Sequence, residues 1–327
     1  MKNRDWNIDL IKVICTFAVV ALHSQRSLVT GELFNSVLYY ASRFAMPLFF
    51  MCNGYLILKK KSFGFKYFCK KVLNIIRVMT LWSFITFMLS LLVEQNSLTK
   101  ALLDGIKCFI GVNIAPFWFL YSLIIIYIVL LLFFDLIKKH LNKILIFLFA
   151  TMLIIDIISV ISIFRGGYFV QSKINQRFRI WTWMFYFVIG YKIKEQRGTA
   201  NIIKVGLVAA VLTVMSVAVQ YYLCCIMLNK INSEYMYDNI IIIAWSLSVF
   251  VFLNSIIIKP NTILTFLSKN SFGVFLLHPY LIHYFHLTEI VSGWLSALVL
   301  WVILVLSCYL ITFVFRKAKF GKLLFEY

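Results

Sequence analysis

The sequence predicts an all-α integral membrane bundle of about ten transmembrane helices with both termini in the cytoplasm. Three observations carry that reading. Of 327 residues, 62% are hydrophobic and 13% charged, about half the charged share of a soluble domain. The mean hydropathy is +0.92. Apolar runs long enough for a hydrocarbon core of about 30 Å recur along the whole chain.

These runs are roughly residues 8–29, 36–58, 75–93, 116–134, 144–163, 178–193, 202–224, 238–258, 271–287 and 294–314. With the N-terminus inside, most of the 32 Lys and Arg fall on inner segments: Lys2, Arg4 and Lys12, the cluster from Lys59 to Arg77, Lys138, Lys139 and Lys143, Lys192 to Lys204, Lys259 and Lys269, and Arg316 to Lys322. Such a distribution is the positive-inside bias. The net charge of +20 is therefore placed for a membrane and not for nucleic acid. One loop disagrees, because Arg165, Lys173, Arg177 and Arg179 would lie outside. They are either without a role there or a basic outer surface for an anionic partner.

Span one carries Asp9, Lys12 and His23 inside an apolar run. An ionisable residue at the bilayer centre costs at least about 3 kcal/mol on insertion scales, so it faces a bundle interior or a wet cavity. At about 100° per residue, Lys12 and His23 fall within ~20° of each other, with Asp9 and Thr16 within roughly 60°. The stripe links two depths about 16 Å apart. The basic entry and apolar run resemble a signal peptide, but His23, Gln25 and Arg26 replace a small-residue cleavage site, so the segment reads as an uncleaved anchor.

Span two holds Arg43, expected near the depth of His23, and Pro47, expected to kink the helix and free a carbonyl. Arg43 either faces the interior or snorkels outward. The stretch from Lys59 to Arg77 has seven basic residues and no acid. Two readings stand, a lipid-attracted topology determinant and a cradle for a phosphorylated cytosolic ligand. Span four opens with Pro116 and Trp118, which fits an aromatic belt. Asp156 in span five is expected to find an arginine of the 165–179 loop. In span nine, His278 precedes Pro279, and His283 and His286 follow without carboxylate or thiol beside them in the sequence, which disfavours a metal site.

Seven cysteines lie mostly within or beside spans without zinc or haem spacing, as buried small hydrophobes do. Short loops and four prolines mark no linker, so residues 1–327 read as one domain with a short basic tail at about 315–327 and no fused extracytoplasmic domain. Intramembrane Asp, Lys, Arg and His fit transport as well as catalysis. Inverted repeats, which favour transport, are not visible, and no effector domain supports a sensor.

Four segments together resemble the acyltransferase 3 family of membrane proteins. "IDLIKVICTFAVVALHS" is similar to its basic-residue, ten-spacer, histidine signature through Lys12 and His23, with Asp9 in its usual place. "RFAMPLFFMCNGYLI" resembles the second-span pattern, with Asn53 where serine is commoner. "FWFLYSLIIIYIVLLL" resembles the fourth-span segment around Trp118, and "SFGVFLLHPYLI" the late segment ending in His278 and Pro279. The family's Arg-x-x-x-Arg at the inner end of span three has Lys66 and Lys70, or Lys70 and Asn74, in its place.

The resemblance implies a multi-pass O-acyltransferase of the plasma or inner membrane that moves an acyl group, acetyl foremost, from cytosolic acyl-CoA to a hydroxyl of a cell-surface or lipid-linked glycan. It implies acetyl-CoA as donor substrate and no metal. On this reading His23 and Arg43 are catalytic, and Lys12, Lys66, Lys70 and Lys71 hold the CoA phosphates. Asp9 is expected to be the counter-ion of Lys12, and Asn53, Trp118 and His278 are expected to be structural. Expected partners are acyl-CoA, the sugar acceptor and membrane lipids. The oligomeric state is open, a homodimer among the alternatives.

Overall fold

A computed structural model describes residues 4–25, 33–112, 117–195, 201–229, 233–287, 291 and 293–326. Lys2, Arg26, Pro116, Arg197 and the expected end of span one at 26–29 lie outside them. The described residues form helices and turns, with no strand among them. The helices are α1 (Trp6–Gln25), α2 (Leu33–Ala41), α3 (Ala45–Leu58), α4 (Phe65–Leu92), α5 (Leu98–Phe109), α6 (Trp118–Lys139) and α7 (Leu141–Phe164). There follow α8 (Ile180–Glu195), α9 (Ile202–Tyr221), α10 (Ile240–Ser255), α11 (Thr262–Tyr284), α12 (Trp294–Lys317) and α13 (Lys319–Phe325).

Seven segments among the described residues are long and apolar enough to cross a membrane: α1, α2 with α3 (Ser36–Leu58), α4, α6, α7, α9 with the π turn after it (Ile202–Met227), and α12. The other three expected spans are helical but fall short. α8 and α10 have 16 residues each, about 24 Å at 1.5 Å per residue. α11 has 23 residues, but Lys269, Asn270, His278 and His283 interrupt its apolar character. α5, unexpected from the sequence, is short and buries only Ala101, Gly105 and Cys108, on its α4 side.

α1 lies at the centre, with Ile11, Cys15, Thr16 and Val20 fully buried. α11 runs parallel to it, because Ser268 Oγ donates to Asp9 Oδ1 at 2.6 Å near one end and the His278 ring meets His23 near the other. α3 and α8 form the closest seam. A Cβ on Gly54 would stand 1.7 Å from the Phe187 carbonyl oxygen, and one on Gly190 2.4 Å from Met51 Cα. Only hydrogen at both positions lets the two backbones meet, the device by which membrane helices gain packing that lipid cannot supply. α7, α9 and α12 lie at the periphery and turn Phe147, Val214 and Leu306 outward.

The helix expected to kink at Pro47 instead breaks before it. Ser42, Arg43 and Phe44 form a turn, α3 starts at Ala45, and Pro47 falls in its first helical turn. Proline is tolerated there because that N–H needs no helical partner. Arg43 thereby sits in the break itself.

Candidate active site

The N-terminal end of α1 is held by polar contacts. Asn7 Nδ2 donates to the carbonyls of Leu253, Asn254 and Ile256 at 2.9, 3.2 and 2.7 Å, satisfying the end of α10. Lys194, only 5% exposed, pairs with Asp5 at 3.0 Å and donates to Asn254 Oδ1 at 2.5 Å. Asp9 pairs with Arg4 and accepts from Ser268. The expected Asp9–Lys12 pair is thus replaced: Arg4 reaches back along its own chain to Asp9, and Lys12 makes no ion pair among the described residues.

Lys12 instead lines a cavity of about 110 Å³ together with polar Asn53, Ser268 and Ser271 and aromatic Phe49, Phe119, Phe272 and Phe275; Phe49, Phe272 and Phe275 each lie about one helical turn along from Asn53, Ser268 and Ser271, so the helical register sets a polar side against an aromatic one. Asn53 Nδ2 donates to the Phe49 carbonyl at 2.9 Å, which leaves its Oδ1 as an acceptor beside the cavity. Lys71 lies in electrostatic range of Lys12, Lys60 and Lys70. Three of the four lysines named for the donor therefore gather at one end of α1. Lys66 is exposed on the first turn of α4.

At the other end of α1, the half-buried His23 ring meets the His278 ring edge to face, centroids 5.0 Å apart. His278 has no exposure at all. Its Nδ1 stands 3.0 Å from the Val274 carbonyl oxygen. A carbonyl only accepts, so Nδ1 carries the proton and Nε2 of the neutral ring is a bare acceptor. That Nε2 is buried and has no hydrogen-bond partner among the described residues. Pro279 adds to the local geometry, since its missing N–H frees the Phe275 carbonyl, which also bonds His278. Phe275 joins the two ends, lining the Lys12 cavity and standing 6.3 Å from the His278 ring.

Arg43 is 5% exposed. Its guanidinium lies over the Tyr39 ring at 4.6 Å, bonds the Tyr39 and Tyr237 hydroxyls, and approaches Glu234 at 3.9 Å. Its Nε is buried without a hydrogen-bond partner among the described residues. Burial pushes the Tyr237 phenol up, and Arg43 pulls it back. Arg43 thus faces the interior and does not snorkel.

Several other expected partners are corrected. Asp156 accepts from Asn239 Nδ2 at 3.1 Å and the Ile240 N–H at 3.2 Å, not from an arginine. Arg179, 2% exposed, spends its donors on the carbonyls of Gln171, Ile174 and Glu234. Arg177 donates to the Ile110 carbonyl at 2.6 Å and to Asn175. Two of the four basic residues of that loop therefore staple it, and do not form a free anion-binding face. Asp238 accepts from Trp181, Thr182 and Gln171. Trp118 stacks toward Trp183 at 5.2 Å, inside an aromatic cluster and not in an outward belt. His283 does have a carboxylate beside it, Glu94 at 3.1 Å. No group of three or more metal-ligating side chains gathers among the described residues.

Sequence reasoning missed Asp5, Asn7, Lys194 and Asn254 as the anchor of α1, and Tyr39, Tyr237 and Glu234 as the setting of Arg43. Neither group leaves a motif, because the members come from distant parts of the chain. Ser268 had a usable signal, one helical turn before Ser271 and Phe272 on the face of α11 that meets α1.

A multi-pass helical membrane protein with a cavity beside a lysine of its central helix and a half-buried histidine against a buried one is the class these features define. A family model described as an acyltransferase domain matches residues 5–317, almost the whole length. The chain belongs to the acyltransferase 3 family and is an acyltransferase. No curated protein and no solved structure matches it.

Proposed function

We propose that this acyltransferase moves an acetyl group from cytosolic acetyl-CoA to a hydroxyl of a cell-surface or lipid-linked glycan, in the cell membrane. One observation carries the reading: α1 presents Lys12 to a cavity that is polar on one side and aromatic on the other, and His23 to the buried His278 about 16 Å farther along. The basic cluster at the Lys12 end supports a cytosolic face there, in line with the positive-inside rule. On that basis α8, α10 and α11 complete ten crossings, although α8 and α10 have only 16 residues each and α11 carries polar residues.

Lys12, Lys70 and Lys71, with Lys66 at the rim, hold the CoA phosphates as point charges. Asn53 and Ser271 meet the amides of the donor's flexible arm, and the thioester lies against the aromatic side, in the direction of His23. His23 takes the proton of the sugar hydroxyl, a general-base step typically worth 10²- to 10⁴-fold. The oxygen bonds the acyl carbon, the carbon–sulfur bond breaks, and the CoA thiolate leaves and receives the proton. Arg43 stabilises the negative charge that develops on the carbonyl oxygen, with its unused Nε as the donor. Burial of Arg43 and His278 keeps water from competing with the sugar.

Proteoliposomes holding the purified protein test this. With acetyl-CoA outside and a host glycolipid extract in the membrane, the reading expects CoA thiol release tied to acetyl ester formation. Glycan flux without CoA release would identify a transporter instead.

A further inference from the structure

Phe49, Phe119 and Phe275 come from three helices, α3, α6 and α11, and their ring centroids form a nearly equilateral triangle with sides of 6.1, 5.8 and 6.1 Å. At such spacings aromatic rings touch, so no gap as wide as a methylene chain runs between them. On one side of the triangle lies the cavity that holds Lys12. Beyond it stands His278, whose ring is 6.3 Å from that of Phe275 and 5.0 Å from that of His23.

We propose that this triangle is the gauge that sets acyl length in the donor site. The inference rests on the acyl-CoA reading above and adds the residues that decide which acyl group is accepted. The polar wall of the cavity suits the donor's polar arm, so the apolar end of an acyl group has only the aromatic side to turn to. A two-carbon group needs one ring edge to yield. A longer chain needs a ring to swing out of contact with its neighbours, against close packing on the far side. The rings differ in how firmly they are held. Phe119 is 4% exposed and is backed by Phe50 at 4.9 Å; Phe275 is 4% exposed and stacks on Phe272 at 6.3 Å. Phe49 is half-buried, and its ring contacts among the described residues are the other two members of the triangle. Phe49 is the side that yields.

The test is the ratio of label transferred from acetyl-CoA, butyryl-CoA and hexanoyl-CoA into membranes of a deletion host expressing wild type, Phe49→Ala, Phe49→Leu or Phe275→Leu. A ratio does not depend on how much protein folds, so reduced expression does not obscure it. A single methylene in a fitted pocket is worth about 10- to 200-fold. Wild type is expected to favour acetyl over butyryl by at least about tenfold. Phe49→Ala is expected to narrow that preference by about tenfold, Phe49→Leu by less. Unchanged ratios in all three variants, with acetyl still transferred, would overturn the gauge and leave the acyl-CoA reading standing. Transfer from none of the three donors by wild type would overturn that reading and the gauge with it.

Discussion

The imidazoles of His23 and His278 stand edge to face with centroids 5.0 Å apart, although they lie near opposite ends of the chain. The contact follows from α1 and α11 running parallel from the Asp9–Ser268 bond upward. It makes His278 a candidate to orient His23, through its Nε2, which has no hydrogen-bond partner among the described residues.

Two amide substitutions separate the roles of the His278 nitrogens. His278→Asn keeps a donor near Nδ1 for the Val274 carbonyl and loses the acceptor at Nε2; His278→Gln keeps polar atoms near Nε2. If the bare Nε2 positions His23, transfer by the Asn variant falls about tenfold or more, and the Gln variant retains more activity at equal thermal stability. The pH–rate profile of the Asn variant should shift as well, which loss of packing alone would not produce.

Lys12 is expected to act in donor binding. Lys12→Gln should raise the KM for acetyl-CoA by about tenfold while kcat changes little, the signature of lost uniform binding. Lys66→Gln should change KM less, since exposed charges are screened. Steady-state kinetics in proteoliposomes at two salt concentrations measure both.

The α3–α8 seam tolerates no side chain. Gly190→Val places carbon where Met51 backbone atoms lie 2.4 Å from a Cβ, and overpacking of this kind costs about 3 kcal/mol or more. Loss of monodisperse protein in detergent is the expected result. Gly64→Ser is the control: its Cβ meets nothing within 4 Å, the residue is the N-cap of α4, and serine is favoured there.

Lys194 anchors the start of α1 through Asp5 and Asn254. Lys194→Met removes the buried cation that stands 3.0 Å from Asp5, and breaking a buried pair costs about 3 kcal/mol. The thermal midpoint should fall, and Asp5→Asn combined with Lys194→Met should recover part of the loss.

The sequence made the membrane class, the mainly helical course of the described parts of its apolar runs and the inward stripe of Lys12 and His23 legible, because burial in lipid leaves long apolar runs and makes each interior charge conspicuous. Partners were not legible. Asp9 found Arg4 and not Lys12, and Asp156 found Asn239 and not an arginine, because side-chain pairing depends on how helices rotate and cross, which hydropathy does not encode. Pro47 looked like a kink in one long helix and proved to start a new one, since a proline's effect depends on whether it falls inside a helix or in its first turn. The aromatic triangle was invisible for a simpler reason: with 32 phenylalanines in the chain, no single one stands out until three helices bring their rings together.

The central claim is that His23 is the base that takes the proton of the acceptor hydroxyl. Mass spectrometry of surface glycans from a deletion host complemented with His23→Ala tests it most directly, with membrane levels of the variant matched to wild type. The account predicts that O-acetylation restored by wild type is absent with the variant. Persistence of wild-type O-acetylation with His23→Ala would contradict it.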